Sequence, residues 1–424
     1  MRKQLLKNQA LTILAVLLSL SLILWSCSSA PTEVTPNQTH YSVQKITANQ
    51  AETDTCINGR MDTGAYFRIC MPDEWNGDLV LYAHGYVSPL EEVAIPESQL
   101  KLPDGTYIPA MLNDLGYAFA TTSYRENGFV AAEAIEDLKD LVDLFKELYP
   151  TVNHILLVGA SEGGLITTKS IEMEDDYAGG LAVCGPIGDF IKQINYVGDF
   201  RVLFDFYFPG ILPGSPVQIP QEVMEHWDDI YLPAVIQAIS ADPDRTVELL
   251  RVAGAAFDPS DPETVGQTVA GVLWYNVFAT NDLVARVGGN PYDNSTRFYH
   301  GSANDLFLNQ HVRRFTADAV AITAVNHMFQ TEGILDRPLV TMHTAGDPIV
   351  PFWHEQLYRQ KIVSSGSAIF FNHIPVVRYG HCNFSKDEVL KAFTLLIVKV
   401  KALEEVAAPQ PVTVRVARKA IRTR

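Results

Sequence analysis

Ile155-Leu156-Leu157-Val158-Gly159-Ala160-Ser161-Glu162-Gly163 decides how this chain is read. Four aliphatic residues run together with no polar residue between them, as in a strand buried on both faces. The run breaks into a G-x-S-x-G pattern, and Leu165 to Met173 can continue as a helix. Alone, the five-residue pattern recurs by chance in chains of this length. A serine between glycines, at the junction of a buried strand and a helix, is far more specific. Such a serine occupies a sharp turn, where a Cβ on either flanking glycine would collide with strand or helix. The helix start aims backbone N–H groups at the space before the serine. Ser161 is therefore a candidate nucleophile; a glycine-rich turn without chemistry is the plain alternative.

Outward from this stretch, strands and helices alternate. Asp78 to Ala83, Tyr117 to Ser123 and Leu181 to Cys184 are further apolar runs of strand length. Ala131 to Tyr149 carries apolar residues at Ala131, Ala132, Ile135, Leu138, Leu141, Val142, Phe145 and Leu148, a helical spacing that Pro150 ends. From about Asp189 to Asp336 the alternation stops, and aromatic-rich, helix-like segments with several prolines follow. It resumes with a strand at Pro338 to Thr344, a helix at His354 to Val363, a strand at Ile374 to Tyr379 and a helix at Asp387 to Val406. The pattern predicts an α/β protein. Its central sheet is mostly parallel and flanked by helices, with a large, mainly helical cap inserted before the strand that leads to Asp347.

A serine hydroxyl needs a base, and the base needs an orienting carboxylate. Thr344-Ala345-Gly346-Asp347-Pro348-Ile349-Val350-Pro351 follows one strand, and Tyr379-Gly380-His381-Cys382 follows the last. With Ser161 these turns stand in the order Ser, Asp, His and resemble the acid and histidine turns of the α/β-hydrolase superfamily. The resemblance covers roughly Trp75 to Ala407, the cap excluded. It implies an α/β-hydrolase fold, with Ser161 as nucleophile, Asp347 as acid and His381 as base. His84-Gly85-Tyr86 resembles the superfamily's oxyanion turn, which implies backbone N–H donors at Tyr86 and Glu162. Competing residues are less well placed. Asp336 and His373 precede their strands, Asp305 and His300 fall in the cap, His343 lies inside a strand, and His354 begins a helix. His84 reads as structural.

The implied chemistry is acyl transfer, with a small-molecule or polymeric carboxylic ester as the expected substrate. A secreted peptidase, of the aminopeptidase or prolyl-oligopeptidase type, is the second reading. A binding protein on an inactive hydrolase scaffold is the third. Trp274 and Tyr275 in the cap, and Trp353 past the acid turn, are candidate substrate contacts, although core packing accounts for such residues equally well. No cofactor or metal is expected, since no metal-type cysteine spacing occurs.

Met1 to Lys7 is basic and Leu11 to Trp25 almost wholly apolar, the pattern of an export signal. Leu24-Trp25-Ser26-Cys27 resembles a bacterial lipoprotein box, which implies lipidation at Cys27 and a membrane held through that anchor. The expected organisation is a signal segment 1–27, a flexible tether 28–54, a core 55–188 and 337–406, a cap 189–336 and a basic tail 407–424. Export places the chain in the cell envelope outside the cytoplasm, where the remaining cysteines can oxidise. Four cysteines allow three pairings. Cys56 and Cys70 flank one short segment, so Cys56–Cys70 with Cys184–Cys382 is the favoured set.

Net charge is −17, and loss of Arg2, Lys3 and Lys7 with the signal would leave about −20. So acidic a body repels nucleic acid, which is excluded as a partner. Oligomeric state is not readable from the sequence.

Overall fold

Nine strands form one sheet in the computed structural model, which describes residues 41–44 and 56–407. The export signal, Cys27, most of the 28–54 segment and residues 408–424 of the basic tail lie outside the described residues. In chain order the strands are β1 (Tyr41–Gln44), β2 (Cys56–Met61), β3 (Tyr66–Cys70), β4 (Leu79–Ala83), β5 (Ala118–Thr122), β6 (Ile155–Ala160), β7 (Gly179–Val183), β8 (Leu339–Gly346) and β9 (Phe371–Tyr379). Across the sheet they run β1-β2-β3-β5-β4-β6-β7-β8-β9. The pairings β1·β2, β2·β3 and β3·β5 are antiparallel, and all those from β5 to β9 are parallel. Strands β2 to β9 make the α/β-hydrolase sheet, and β1 adds an edge.

Strands β4 and β6, at the centre of the sheet, carry no charged or hydroxyl-bearing aliphatic residue because both of their faces are covered. Leu79, Leu81, Ile155 and Leu157 point into one core layer, while Val80, Tyr82, Leu156 and Leu181 point into the other. Helices α1 (Ile108–Asp114), α2 (Ala131–Leu148) and α3 (Glu162–Met173) precede the cap. The cap holds α4 (Phe190–Tyr207), α5 (Gln221–Glu225), α6 (Leu232–Ala241), α7 (Pro243–Ala253), α8 (Glu263–Val287), α9 (Asp305–His311) and α10 (Ala319–Phe329). After it come α11 (Trp353–Ser365) and α12 (Lys386–Ala407). Helices α2 and α3 cover the first layer; α1 and α12 cover the second. The cap has an apolar core of its own. At its centre the fully buried Arg201 guanidinium donates to Asp205, Asn276 and the carbonyls of Leu212 and Pro213, so each of its three nitrogens has an acceptor.

Two features depart from the sequence reading. Residues 41–44, expected as tether, are a strand paired with Asn58 to Met61. Tyr41 and Val43 alternate with polar residues there, and the strand covers backbone groups that would otherwise be a bare edge. The β2–β3 hairpin carries no apolar alternation in Cys56–Met61 to announce it. Its register sets Cys56 opposite Cys70, and the two are disulfide-bonded. The second disulfide joins Cys184 to Cys382.

Candidate active site

Ser161 sits between β6 and α3 with φ +58°, a left-handed conformation that a side chain adopts only under strain. Its neighbours have no room to be anything but glycine. A Cβ on Gly159 would lie 2.1 Å from the Gly163 carbonyl oxygen, and one on Gly163 would lie 2.0 Å from that of Ala83. The strained turn lifts the serine above the ends of the parallel strands, where the acid and histidine turns also emerge.

A register shift between Thr344 and Gly346 ends the β8–β9 ladder. The Gly380 N–H donates to the Gly346 carbonyl at 3.1 Å, which sets the two turns side by side. His381 Nδ1 lies 2.7 Å from Asp347 Oδ2, and His381 Nε2 lies 2.9 Å from Ser161 Oγ. A carboxylate only accepts, so Nδ1 carries the proton and Nε2 is left to accept from the serine hydroxyl. Asp347 is buried, and its Oδ1 accepts the backbone N–H of Ile349 and Val350 at 2.9 and 3.0 Å. Burial alone would raise its pKa; His381 and His343 outweigh that and bring it down to about 2. The acid turn is also tied to the cap, where Tyr196 Oη donates to the Pro348 carbonyl and Gln193 Nε2 to that of Ile349.

Behind Asp347 lies a chain of groups that the sequence did not disclose. His343 is buried within β8; its Nε2 is 2.7 Å from the Val350 carbonyl oxygen and 3.3 Å from Asp347 Oδ2. Its Nδ1 faces Glu355 Oε1 at 3.3 Å, and Glu355 Oε2 accepts from Thr341 Oγ1 and faces His373 Nδ1 at 2.9 Å. Burial would lower the His343 pKa, but Asp347 and Glu355 overcome it and raise it to about 10. His354 is the converse. Its Nδ1 accepts from the N–H groups of Gly188 and Asp189 and its Nε2 donates to Gln193, so its ring is neutral, with burial pushing its pKa well down.

The His84-Gly85-Tyr86 turn passes beside Ser161, since a Cβ on Gly85 would lie 3.1 Å from Ser161 Cβ. Gln99 clamps this turn: its Oε1 accepts from the Gly85 N–H at 2.7 Å and its Nε2 donates to the Tyr86 carbonyl at 3.1 Å. No sequence signal marks Gln99, which lies in a short 3₁₀ helix (Glu97–Leu100) outside every motif. The buried His84 ring stacks on Tyr124 at 3.9 Å, and burial lowers its pKa to about 4. The backbone N–H groups of Tyr86 and Glu162 donate to no protein acceptor among the described residues, so both are free to meet an oxyanion. The Glu162 carboxyl is buried and accepts the Val130 N–H at 3.0 Å; burial, with Asp282 and Glu133 nearby, raises its pKa to about 8.

Of the three aromatic candidates, Tyr275 lines the space around Ser161. Trp274 backs it, with ring centroids 5.0 Å apart, and does not reach that space. Trp353 lies elsewhere: it stacks on His354 at 4.0 Å with Lys192 Nζ 4.2 Å from its ring, because it opens α11 on the side turned to α4. Cys382 Sγ comes within 3.4 Å of His381 Nε2, so the Cys184–Cys382 bond packs against the imidazole itself. Cys184, His381 and Cys382 also form a cluster of metal-ligand type, but the disulfide removes both thiolates.

No protein-family model matches the chain, and no curated protein matches it. Solved structures do. Feruloyl esterase B from Aspergillus oryzae aligns at 15% identity over 84% of this chain and 83% of that one, with a TM-score of 0.46. An esterase from Pyrococcus furiosus aligns at 11% identity over 85% of this chain and 97% of that one, with a TM-score of 0.42. An acylaminoacyl peptidase aligns at 9% identity over 81% of this chain and 38% of that one, with a TM-score of 0.39. This chain thus spans well under half of the peptidase's length. Likeness this distant carries no chemistry with it.

Proposed function

We propose that the protein is a serine hydrolase that cleaves carboxylic esters through an acyl-enzyme. The observation that carries this reading is the line of contacts from Asp347 Oδ2 through both nitrogens of His381 to Ser161 Oγ, at 2.7 and 2.9 Å. In it Ser161 attacks the ester carbonyl, His381 takes the hydroxyl proton and returns it to the leaving group, and Asp347 holds His381 in the required tautomer. The N–H groups of Glu162 and Tyr86 receive the negative charge that forms on the carbonyl oxygen. Removal of one such donor costs about 3 kcal/mol of transition-state stabilisation in other enzymes.

An aminopeptidase requires ionised carboxylates to hold a charged N-terminus. Of the residues that line the two cavities meeting at Ser161, Glu162, on the cap side, is the one with a carboxyl, and burial keeps it protonated near neutral pH. This supports an ester over a peptide with a free amino end. A panel of p-nitrophenyl esters and aminoacyl p-nitroanilides decides between them. Turnover of the esters with negligible turnover of the anilides is expected; the reverse preference would overturn the ester reading.

We propose further that the chain is exported and anchored to a membrane through lipid on Cys27, with the ester substrate as its small-molecule or polymeric partner. Two disulfides support an oxidising compartment. No helix among the described residues is long and apolar enough to cross a membrane. Mass spectrometry of the mature N-terminus tests the anchor: a diacylated Cys27 is expected, and an unmodified terminus would contradict it.

A further inference from the structure

Two apolar chambers meet at Ser161. The first lies beneath the cap and is lined by Phe129, Phe190, Val197, Ala279 and Leu283. Its amides are already engaged: Gln193 holds Ile349, Asn276 binds Arg201 and the Pro216 carbonyl, and Asn290 bonds to Tyr292. The second runs down into the layer between the sheet and α12. Its floor is Val80, Tyr82, Val158 and Leu181, residues of one face of β4, β6 and β7, and its roof includes Met111, Leu390 and Phe393. Ser161, Tyr86 and Tyr275 line both chambers. Space left open within a core layer forfeits dispersion contacts with every lining residue. Such space beside a nucleophile marks a ligand site.

The chambers differ in one chemically decisive respect. His381 lines the second and not the first. On the triad reading above, on which this inference rests, the fate of the proton assigns the two halves of the substrate. As Ser161 Oγ bonds to the carbonyl carbon, its proton passes to His381 Nε2. The bond from that carbon to the alcohol oxygen then breaks, and the same proton goes to the departing oxygen. The alcohol must therefore leave on the His381 side, while the acyl group stays on Oγ until water, deprotonated by His381, displaces it as the acid. We propose that the acyl half occupies the chamber beneath the cap and the alcohol half occupies the chamber between sheet and α12. The substrate is then an ester apolar on both sides of its carbonyl.

Two ester series and two variants test this. Ala279→Phe narrows the cap chamber, and Leu390→Phe narrows the second. One series lengthens the acyl chain of p-nitrophenyl esters from acetate to decanoate; the other lengthens the alcohol of n-alkyl butyrates. We expect Ala279→Phe to lower kcat/KM for the longest acyl chain, relative to acetate, about tenfold, with Leu390→Phe doing the same for the longest alcohol. Effects exchanged between the variants, shared equally by both series, or absent would overturn the assignment. If either bulky variant fails to fold, Leu283→Ala and Met111→Ala widen the same chambers and should extend the preferred acyl and alcohol lengths respectively. Labelling of wild-type Ser161 by a small fluorophosphonate is measured first. No labelling there defeats the serine-hydrolase reading, whereas labelling together with exchanged, equal or absent effects of the variants defeats only the chamber assignment.

Discussion

Both ring nitrogens of His343 face acceptors, so both carry protons and the ring is a buried cation between Asp347 and Glu355. Asp347 thus has an imidazole on either side, which keeps it ionised inside the fold. The stability consequence has a definite sign. An unfolded histidine loses its proton near its ordinary value of 6.5, whereas folded His343 keeps it to about 10. Its contribution is fully present below about 6.5 and fades as pH rises toward 10, where the unfolded chain binds fewer protons. In His343→Gln we expect a loss of about 3 kcal/mol near pH 6, because a buried charge pair is broken, and a smaller loss near pH 10. Thermal unfolding across this range checks it; a deficit that does not shrink with pH would contradict the cationic state. Asp347 and His381 were legible in the sequence because each stands in a turn just after an apolar strand. His343 was not, since position within a strand gives no sign of which buried partners its ring meets. Trp353 shows the same limit: it follows the acid turn in sequence, yet its helix turns it toward Lys192.

At the scale of elements, the side chains of the proposed triad depend on turns held from outside. Cys184, at the end of β7, and Cys382, in the histidine turn, both have positive φ, and their bond links segments 198 residues apart. A cross-link over so long a loop stabilises by about 5 kcal/mol in the chain-entropy model. Because its sulfur touches His381, it also fixes the imidazole. We expect Cys184→Ala with Cys382→Ala to lower kcat more than it raises KM, whereas Cys56→Ala with Cys70→Ala should lower Tm and leave kcat near wild type. Equal kcat in both double variants would show that the Cys184–Cys382 bond is only a staple. Central strands and their helices were readable from the sequence because burial on both sheet faces demands unbroken apolar runs, as in Ile155 to Val158. The β2–β3 hairpin was not: Phe67 and Ile69 of β3 are buried in the core, but β2 is largely polar and is held by cross-strand pairing and a disulfide, which apolar spacing does not reveal. The strand at 41–44 is stabilised by the edge it covers, which local sequence does not reveal.

Over the whole molecule, the sheet brings three distant turns to one edge, and the cap closes over them with α4 and α8. The order of core, insertion and core was visible as a break in the strand–helix alternation after Asp189. The arrangement of the cap was not, since its helices pack around Arg201 and its partners, contacts that helical spacing does not encode. The two chambers likewise arise from elements far apart in sequence. What unites them is Ser161, and its reactivity is the claim on which the rest stands. The most direct measurement is peptide mapping after fluorophosphonate treatment of the wild type and of Ser161→Ala, with ester hydrolysis followed in the same samples. We expect one adduct, on Ser161, forming in step with loss of hydrolysis, and a fall in kcat of about 10⁴-fold or more in Ser161→Ala. An adduct at another residue, or wild-type hydrolysis by Ser161→Ala, would contradict it.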